Sequence, residues 1–195
     1  EDFRQEAKEA SCAFTRKRKF HFQDLVITLL GFGKSGIQVE IDRFFKAISL
    51  DNEEVVTYTK AAFSKARQKI KPKAFITLKN EQLAYFEQNA PVNNTWMGYR
   101  VISIDGSSLN LPQHECLENH FGSFKNQSGV SSPCARISIA YDTGNHLVLD
   151  GQIANTQVGE QELAKKHTKY LTPQSDLLLF DRGYPSLAFA MDLND

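Results

Sequence analysis

The chain has 195 residues, 41% of them hydrophobic and 24% charged, which is ordinary for a globular protein able to bury a core of its own. No run approaches the roughly 18 apolar residues of a membrane span, and three cysteines without close spacing exclude a disulfide framework and fit a reduced, cytoplasmic compartment. The formal net charge is zero, yet residues 1–99 hold 16 basic and 12 acidic side chains while residues 100–195 hold 7 and 11. That asymmetry points to polyanion binding in the first half and cation binding in the second.

Residues 1–19 read as a polar helical lead-in ending in the basic run Arg16 to Lys19. Phe22, Leu25, Val26, Leu29 and Leu30 then recur at helical spacing, until Gly31, Gly33 and Gly36 interrupt it. A second helix over 37–48 is expected to bury Ile37, Ile41, Phe44, Phe45 and Ile48, and Asp51 with Glu54 resembles a capping arrangement. The helix predicted over 55–70 matters most here. Seven basic residues and no acid lie between Lys60 and Asn80. Lys65 and Lys69 fall opposite Phe63 and Ile70 on a helical wheel, and Arg67 falls nearer the apolar edge. Short helices ending in a basic one match a helix-turn-helix-like DNA module, whose phosphate contacts supply most of the affinity; the other reading is a solvated bundle helix. A helix over 72–89 closes the bundle, and residues 90–95 form the linker. The division is therefore an all-helical domain over 1–95 and a second domain over 96–195.

In the second domain a strand runs from Tyr99 to Ile104 and ends at Asp105-Gly106-Ser107. The stretch 110–134, rich in Gly, Ser, Asn and Gln, reads as a loop; His114, Cys116 and His120 lie in it, at a spacing that signals zinc only weakly. Two strands flank the turn Asp142-Thr143-Gly144-Asn145. In the second of them Leu147, Leu149, Gly151 and Ile153 alternate with Val148, Asp150 and Gln152. A helix over 159–171 places Leu163, Ala164, His167 and Leu171 on one side. Leu177 to Phe180 reads as a strand buried on both faces, with Asp181 at its carboxyl end and a helix opening at Pro185. Three antiparallel strands followed by parallel strands alternating with helices give a mixed α+β, α/β-type domain in the order of a ribonuclease H-like fold.

In that order Asp105 and Asp181, 76 residues apart, project side by side from neighbouring strands. Two carboxylates so close repel unless a cation lies between them, and hard oxygen ligands suit Mg²⁺ or Mn²⁺. The chemistry implied is phosphodiester cleavage or transfer on nucleic acid. Asp142 and Asp150 rank below the pair as ligands, one being in a turn and the other on the polar face of a strand.

Asp105-Gly-Ser followed by LNLP resembles the first acidic motif of the DDE transposases of bacterial insertion sequences. FDRGYPS (180–186) resembles the second motif of the branch called the insertion sequence four family. AFSKARQKI (62–70), HFGSFKNQ (120–127), YDTGNHLVLD (141–150) and GEQELAKKH (159–167) are similar to it too. The resemblance implies a cut-and-paste reaction in which DNA is nicked at the element's ends and the freed 3′-hydroxyl attacks target DNA. It implies Asp105 and Asp181 as catalytic metal ligands, and Lys65, Lys69, Arg67, Lys125, Arg182 and Tyr184 as DNA contacts, with Arg182 and Tyr184 alternatively bracing the second aspartate. The partners implied are double-stranded DNA, as terminal inverted repeats and target, and a second copy of the chain in a homodimer within a bacterial, nucleoid-associated complex. The third acid of the motif, a glutamate in a Tyr-Arg-Glu-Lys signature, has no counterpart after Glu162. The chain is therefore expected to be a truncated piece, inactive alone, with an incomplete sheet and an exposed edge. Two other functions fit: a DNA-binding remnant acting as repressor, and a ribonuclease H-type nuclease without a transfer step.

Overall fold

The computed structural model describes residues 2–15, 21–48, 58–89, 94–125, 131–184 and 186–193. The chain forms two compact units, Glu1–Asn80 and Glu81–Asp195. The division falls inside the fifth helix, earlier in the chain than the expected boundary at 95/96.

The first unit holds α1 (Asp2–Glu6), α2 (Phe22–Leu30), α3 (Ile37–Ile48), α4 (Lys60–Arg67) and the start of α5 (Lys73–Asn89). Its core is Leu25 and Val26 of α2, Ile41 and Phe45 of α3, and Phe63 of α4, with Tyr58, Ile70 and Ala74 around them. The spacing of Ile41 and Phe45 puts both on one face of α3. Ile37 and Ile48, expected inside, are 36% and 51% exposed because they lie beyond the stretch of α3 that its neighbours cover. Thr59 caps α4 by accepting from the Ala62 amide at 3.2 Å. This helix is shorter than expected and ends at Arg67, so Lys69 sits in the turn beyond it, half-buried, its carbonyl accepting from the Glu9 amide at 3.0 Å. Arg67 is exposed, as Lys65 is, rather than turned to the apolar edge. The Arg16 to Lys19 run, Asp51, Glu54 and the expected linker residues 90–93 lie outside the described residues.

The second unit is a mixed sheet with helices. β1 (Arg100–Asn110) lies between β3 (Ser131–Asp142), antiparallel, and β5 (Asp176–Phe180), parallel. β3 also pairs antiparallel with β4 (Leu147–Asn155), and the short β2 (Ser123–Lys125) joins the beginning of β3. The expected loop of residues 110–134 thus contains α6 (Glu115–Phe121) and β2. His114 opens that helix, its Nδ1 accepting from the Cys116 amide at 3.2 Å. Asp142 is buried and organises the β3–β4 turn: Oδ1 accepts from the Gly144 and Asn145 amides at 3.1 and 2.9 Å, and Oδ2 from Asn145 Nδ2 at 2.8 Å. It is a turn residue, as expected of the Asp142-Thr-Gly-Asn turn.

Three expectations are corrected in this unit. β1 does not end at Asp105; it continues on β3 to Asn110↔Cys134, while its pairing with β5 stops at Ile104↔Phe180. β5 is the sheet's edge among the described residues and is not buried on both faces, Leu179 being 48% exposed. Asp150 is buried rather than on a polar face. A bulge between Ala140 and Tyr141 shifts the β4 register, so Ala140 pairs with Asp150 and Tyr141 with Val148. One unpaired residue, Leu149, reverses the alternation for the rest of β4, turning Asp150 inward and leaving Ile153 54% exposed.

The inward face carries Ile102 and Ile104 of β1, Leu178 and Phe180 of β5, Ala164 of α7 (Glu160–Lys165) and Phe189 of α8 (Leu187–Asp192). α7 is shorter than the helix expected over 159–171 and is followed by a 3₁₀ turn, Thr168–Tyr170. Leu163, Ala164 and His167 nevertheless all point into the core.

Candidate active site

Register sets the geometry. Ile104 of β1 pairs with Phe180 of β5 in parallel, so Asp105 and Asp181 are the next residues on adjacent strands. Successive residues alternate between faces, so both leave the sheet on the side opposite Ile104 and Phe180. Both are exposed. Each carboxylate is fixed by the amide that follows it: Gly106 N donates to Asp105 Oδ1 at 2.8 Å, and Arg182 N donates to Asp181 Oδ1. Among the described residues the second oxygen of each has no protein partner.

The register is held at the other end of the same strand pair. Arg100, paired with Asp176, donates from Nε to Oδ1 at 2.8 Å and from a terminal nitrogen to Oδ2 at 2.7 Å. The Thr172 amide adds a third bond to Asp176. This forked ion pair raises the Arg100 pKa, its bond to Asp176 being the leading cause.

Beneath the carboxylate pair lies Tyr184. Its amide closes the Asp181-Arg-Gly-Tyr turn by donating to the Asp181 carbonyl at 3.0 Å, and its ring packs on Phe180 and Phe189. Tyr184, expected either to contact DNA or to brace the second aspartate, is 2% exposed. Its hydroxyl is buried without a hydrogen-bond partner. Its pKa is pushed up to about 12, first by burial, then by the negative charges of Glu160, Asp105 and Asp181, with Arg136 partly offsetting them.

Glu160 and Arg136 were not singled out from the sequence. Arg136 of β3 lies 3.7 Å from Glu160 Oε1, which opens α7. The helix expected over 159–171 is read from its apolar side, Leu163, Ala164, His167 and Leu171, which leaves Glu160 unremarked. An acid in the first turn of the helix after the hairpin was the available signal. Of the other expected contacts, Lys65, Arg67 and Arg182 are exposed, Lys69 is half-buried, and the Lys125 side chain lies outside the described residues.

Behind this cluster Ser138, His167 and Asp150 form a buried relay. His167 Nδ1 donates to Asp150 Oδ2 at 2.9 Å, Ser138 Oγ donates to Nε2 at 3.0 Å, and Gln152 also donates to Asp150. Burial is the leading cause that lowers the His167 pKa. Ser138 and His167 are 0% exposed, so this chain of groups ties β3, β4 and α7 together and offers no nucleophile to a substrate. An apolar recess of about 500 Å³, lined by Trp96, Val101, Leu177 and Leu179, lies toward the starts of β1 and β5 and takes no part in the carboxylate geometry.

Whether a divalent ion fits is decided by the donors. Two carboxylates on neighbouring strands, each with an unbonded oxygen and open to solvent, suit a hard cation that keeps several of its waters, as Mg²⁺ does. Among the described residues no three His, Cys, Asp or Glu side chains already stand close enough together to enclose one.

The second unit is thus a mixed α+β unit with two acids where its parallel strands part. The chain belongs to the transposase DDE domain family, whose model matches residues 96–195. This is a family of polynucleotidyl transferase-type enzymes that act on DNA and generally depend on divalent metal. No curated protein matches the sequence. Among the described residues no helix is long and apolar enough to cross a membrane.

Proposed function

We propose that this chain serves an insertion-sequence transposase of the Asp-Arg-Gly-Tyr branch, the insertion sequence four family, in cleaving and transferring DNA strands at the element's ends. One observation carries the reading: Asp105 and Asp181 follow the last parallel pair, Ile104↔Phe180, in a domain of the DDE family. They would hold Mg²⁺ or Mn²⁺ within a ribonuclease H-like sheet. When bound, the ion supplies activation of the attacking oxygen and neutralises charge building up on the phosphate. The chain's own part is to fix the two carboxylates through the Gly106 and Arg182 amides and to brace the second through Tyr184. Arg182, exposed beside Asp181, lies within reach of a DNA backbone. In the helical half, Lys65 and Arg67, both exposed on α4, with Lys69 in the turn after it, bind double-stranded DNA of the terminal repeats. A homodimer brings two ends together.

The test is Mg²⁺-dependent nicking of DNA bearing the element's ends by the transposase that carries these residues. Asp181→Asn is expected to abolish cleavage while leaving DNA affinity nearly intact. An unimpaired rate removes Asp181 from the site, and cut ends that never join target DNA point to a nuclease instead.

A further inference from the structure

The cations of the first unit are not spread evenly over its helices. α2 carries Asp24, and α3 carries Glu40 and Asp42 beside Arg43 and Lys46, whereas α4 carries Lys60, Lys65 and Arg67 and no acid. The opening of α4 is already satisfied by protein groups. Thr59 accepts from the Ala62 amide, and Gln38 of α3 accepts from the Lys60 amide at 2.9 Å while donating to the Tyr58 carbonyl at 2.7 Å. These bonds pin the start of α4 to α3, and they leave its side chains, not its first amides, to meet a polyanion.

Those side chains are sorted by position. Phe63 is 0% exposed and faces the core. Opposite it, Ala61, Ser64, Lys65 and Gln68 recur at intervals of three and four residues, Gln68 continuing the helical turn at φ −61°, ψ −10°. Gln68 has Lys65 on one side of it, and Lys60 and Arg67 on the other. All four are exposed, and among the described residues the Gln68 side-chain amide has no hydrogen-bond partner. A neutral donor-and-acceptor group is thus bracketed by cations on both flanks. At eight residues α4 is about 12 Å long, comparable with the width of the major groove of B-DNA. The deep, narrow major groove of duplex RNA would not admit it.

Resting on the reading of α4 as a DNA contact, we propose that α4 lies in the major groove and that Gln68 reads an adenine there. Its carboxamide donates to N7 of the base and accepts from the N6 amino group. Lys60, Lys65 and Arg67 hold phosphates on either side of the groove, which fixes the register of the helix but carries no sequence. Affinity and specificity therefore reside in different side chains of one short helix.

The experiment lets the full chain select from a pool of DNA duplexes of randomised sequence. Each variant is then titrated, by fluorescence anisotropy and over a range of salt, on the enriched duplex and on its single-base-pair replacements. Gln68→Ala is expected to lower the preference for adenine at one base pair about tenfold, with the salt slope unchanged. Gln68→Glu should move the preference at that pair toward cytosine, whose amino group a carboxylate accepts. Arg67→Ala should weaken binding to every duplex alike and reduce the slope of log affinity against log salt by about 1. If the pool yields no preferred sequence, or if the Gln68 variants keep every preference of the wild type, base reading by α4 is overturned. A salt slope still altered by Lys65→Ala and Arg67→Ala would in that case leave the DNA contact standing. If those two substitutions change neither affinity nor slope, the underlying reading fails and this inference fails with it.

Discussion

Asp176→Ala tests the joint that sets the register of the two aspartates. Arg100 and Asp176 pair on β1 and β5, and Asp105 and Asp181 stand at equal distances further along the same two strands. The mutation removes two charge-assisted bonds from Arg100 and one from the Thr172 amide. The Asp176 side chain is 3% exposed and that of Arg100 is 21% exposed. Breaking a buried pair from one side costs about 3–5 kcal/mol because a charge stays behind uncompensated. Arg100 can partly rehydrate and keeps a bond to the Tyr170 carbonyl at 3.3 Å, so the low end applies, about 3 kcal/mol. Trp96, the only tryptophan, lies in the second unit, so its fluorescence follows that unit during urea unfolding. With a slope of about 2 kcal/mol per molar urea, the midpoint should fall by roughly 1.5 M. A loss below about 1 kcal/mol is the range of exposed ion pairs. That result would refute the argument that this fork fixes the register.

His167 should make the second unit acid-sensitive. Burial lowers its folded pKa, so below the ordinary value near 6.5 the unfolded chain binds a proton the folded chain refuses, and stability falls as pH drops from there toward the folded value. His167→Gln should flatten the Tm-against-pH curve between about pH 7.5 and 5.5, and an unchanged slope would move the sensitivity to another group. Gly106→Ala should cost about 1–3 kcal/mol by overpacking, since Tyr184 is held by two aromatic neighbours and cannot yield as Glu160 can; calorimetric unfolding showing no loss would mean the space is not filled. Lys65→Ala combined with Arg67→Ala should weaken DNA binding and reduce the slope of log affinity against log salt by about 2. An unchanged slope would return α4 to a solvated helix.

Period and punctuation made much of this fold legible. Phe22 to Leu30 and Ile37 to Ile48 announce their helices through 3.6-residue spacing, and the Asp142-Thr-Gly-Asn turn announces the β3–β4 hairpin. Asp105 and Asp181 were reachable because each follows an apolar run, and chain order alone put those runs side by side. What could not be read depends on contacts remote in sequence. The bulge opposite Ala140 leaves no mark in the alternation of β4, so Asp150 looks solvated until its register on β3 is known. The apolar run Leu177 to Phe180 reads alike for a central strand and for an edge strand, because hydropathy reports side chains and not how many neighbouring strands are present.

Tyr184 shows the same division more sharply. Its likeness to the family motif leaves open a DNA contact or a brace for the second aspartate. The turn folds the ring back under its own strand: the Tyr184 amide bonds the Asp181 carbonyl, Gln161 donates to the Tyr184 carbonyl at 2.7 Å, and Phe180 and Phe189 flank the ring. Phe180 is thus both the last strand residue before Asp181 and a wall of the tyrosine's pocket. Any ligand contact of Tyr184 must then pass through a neighbouring side chain, not across the surface. Burial first, and then the negative charges of Glu160, Asp105 and Asp181, push its hydroxyl pKa up.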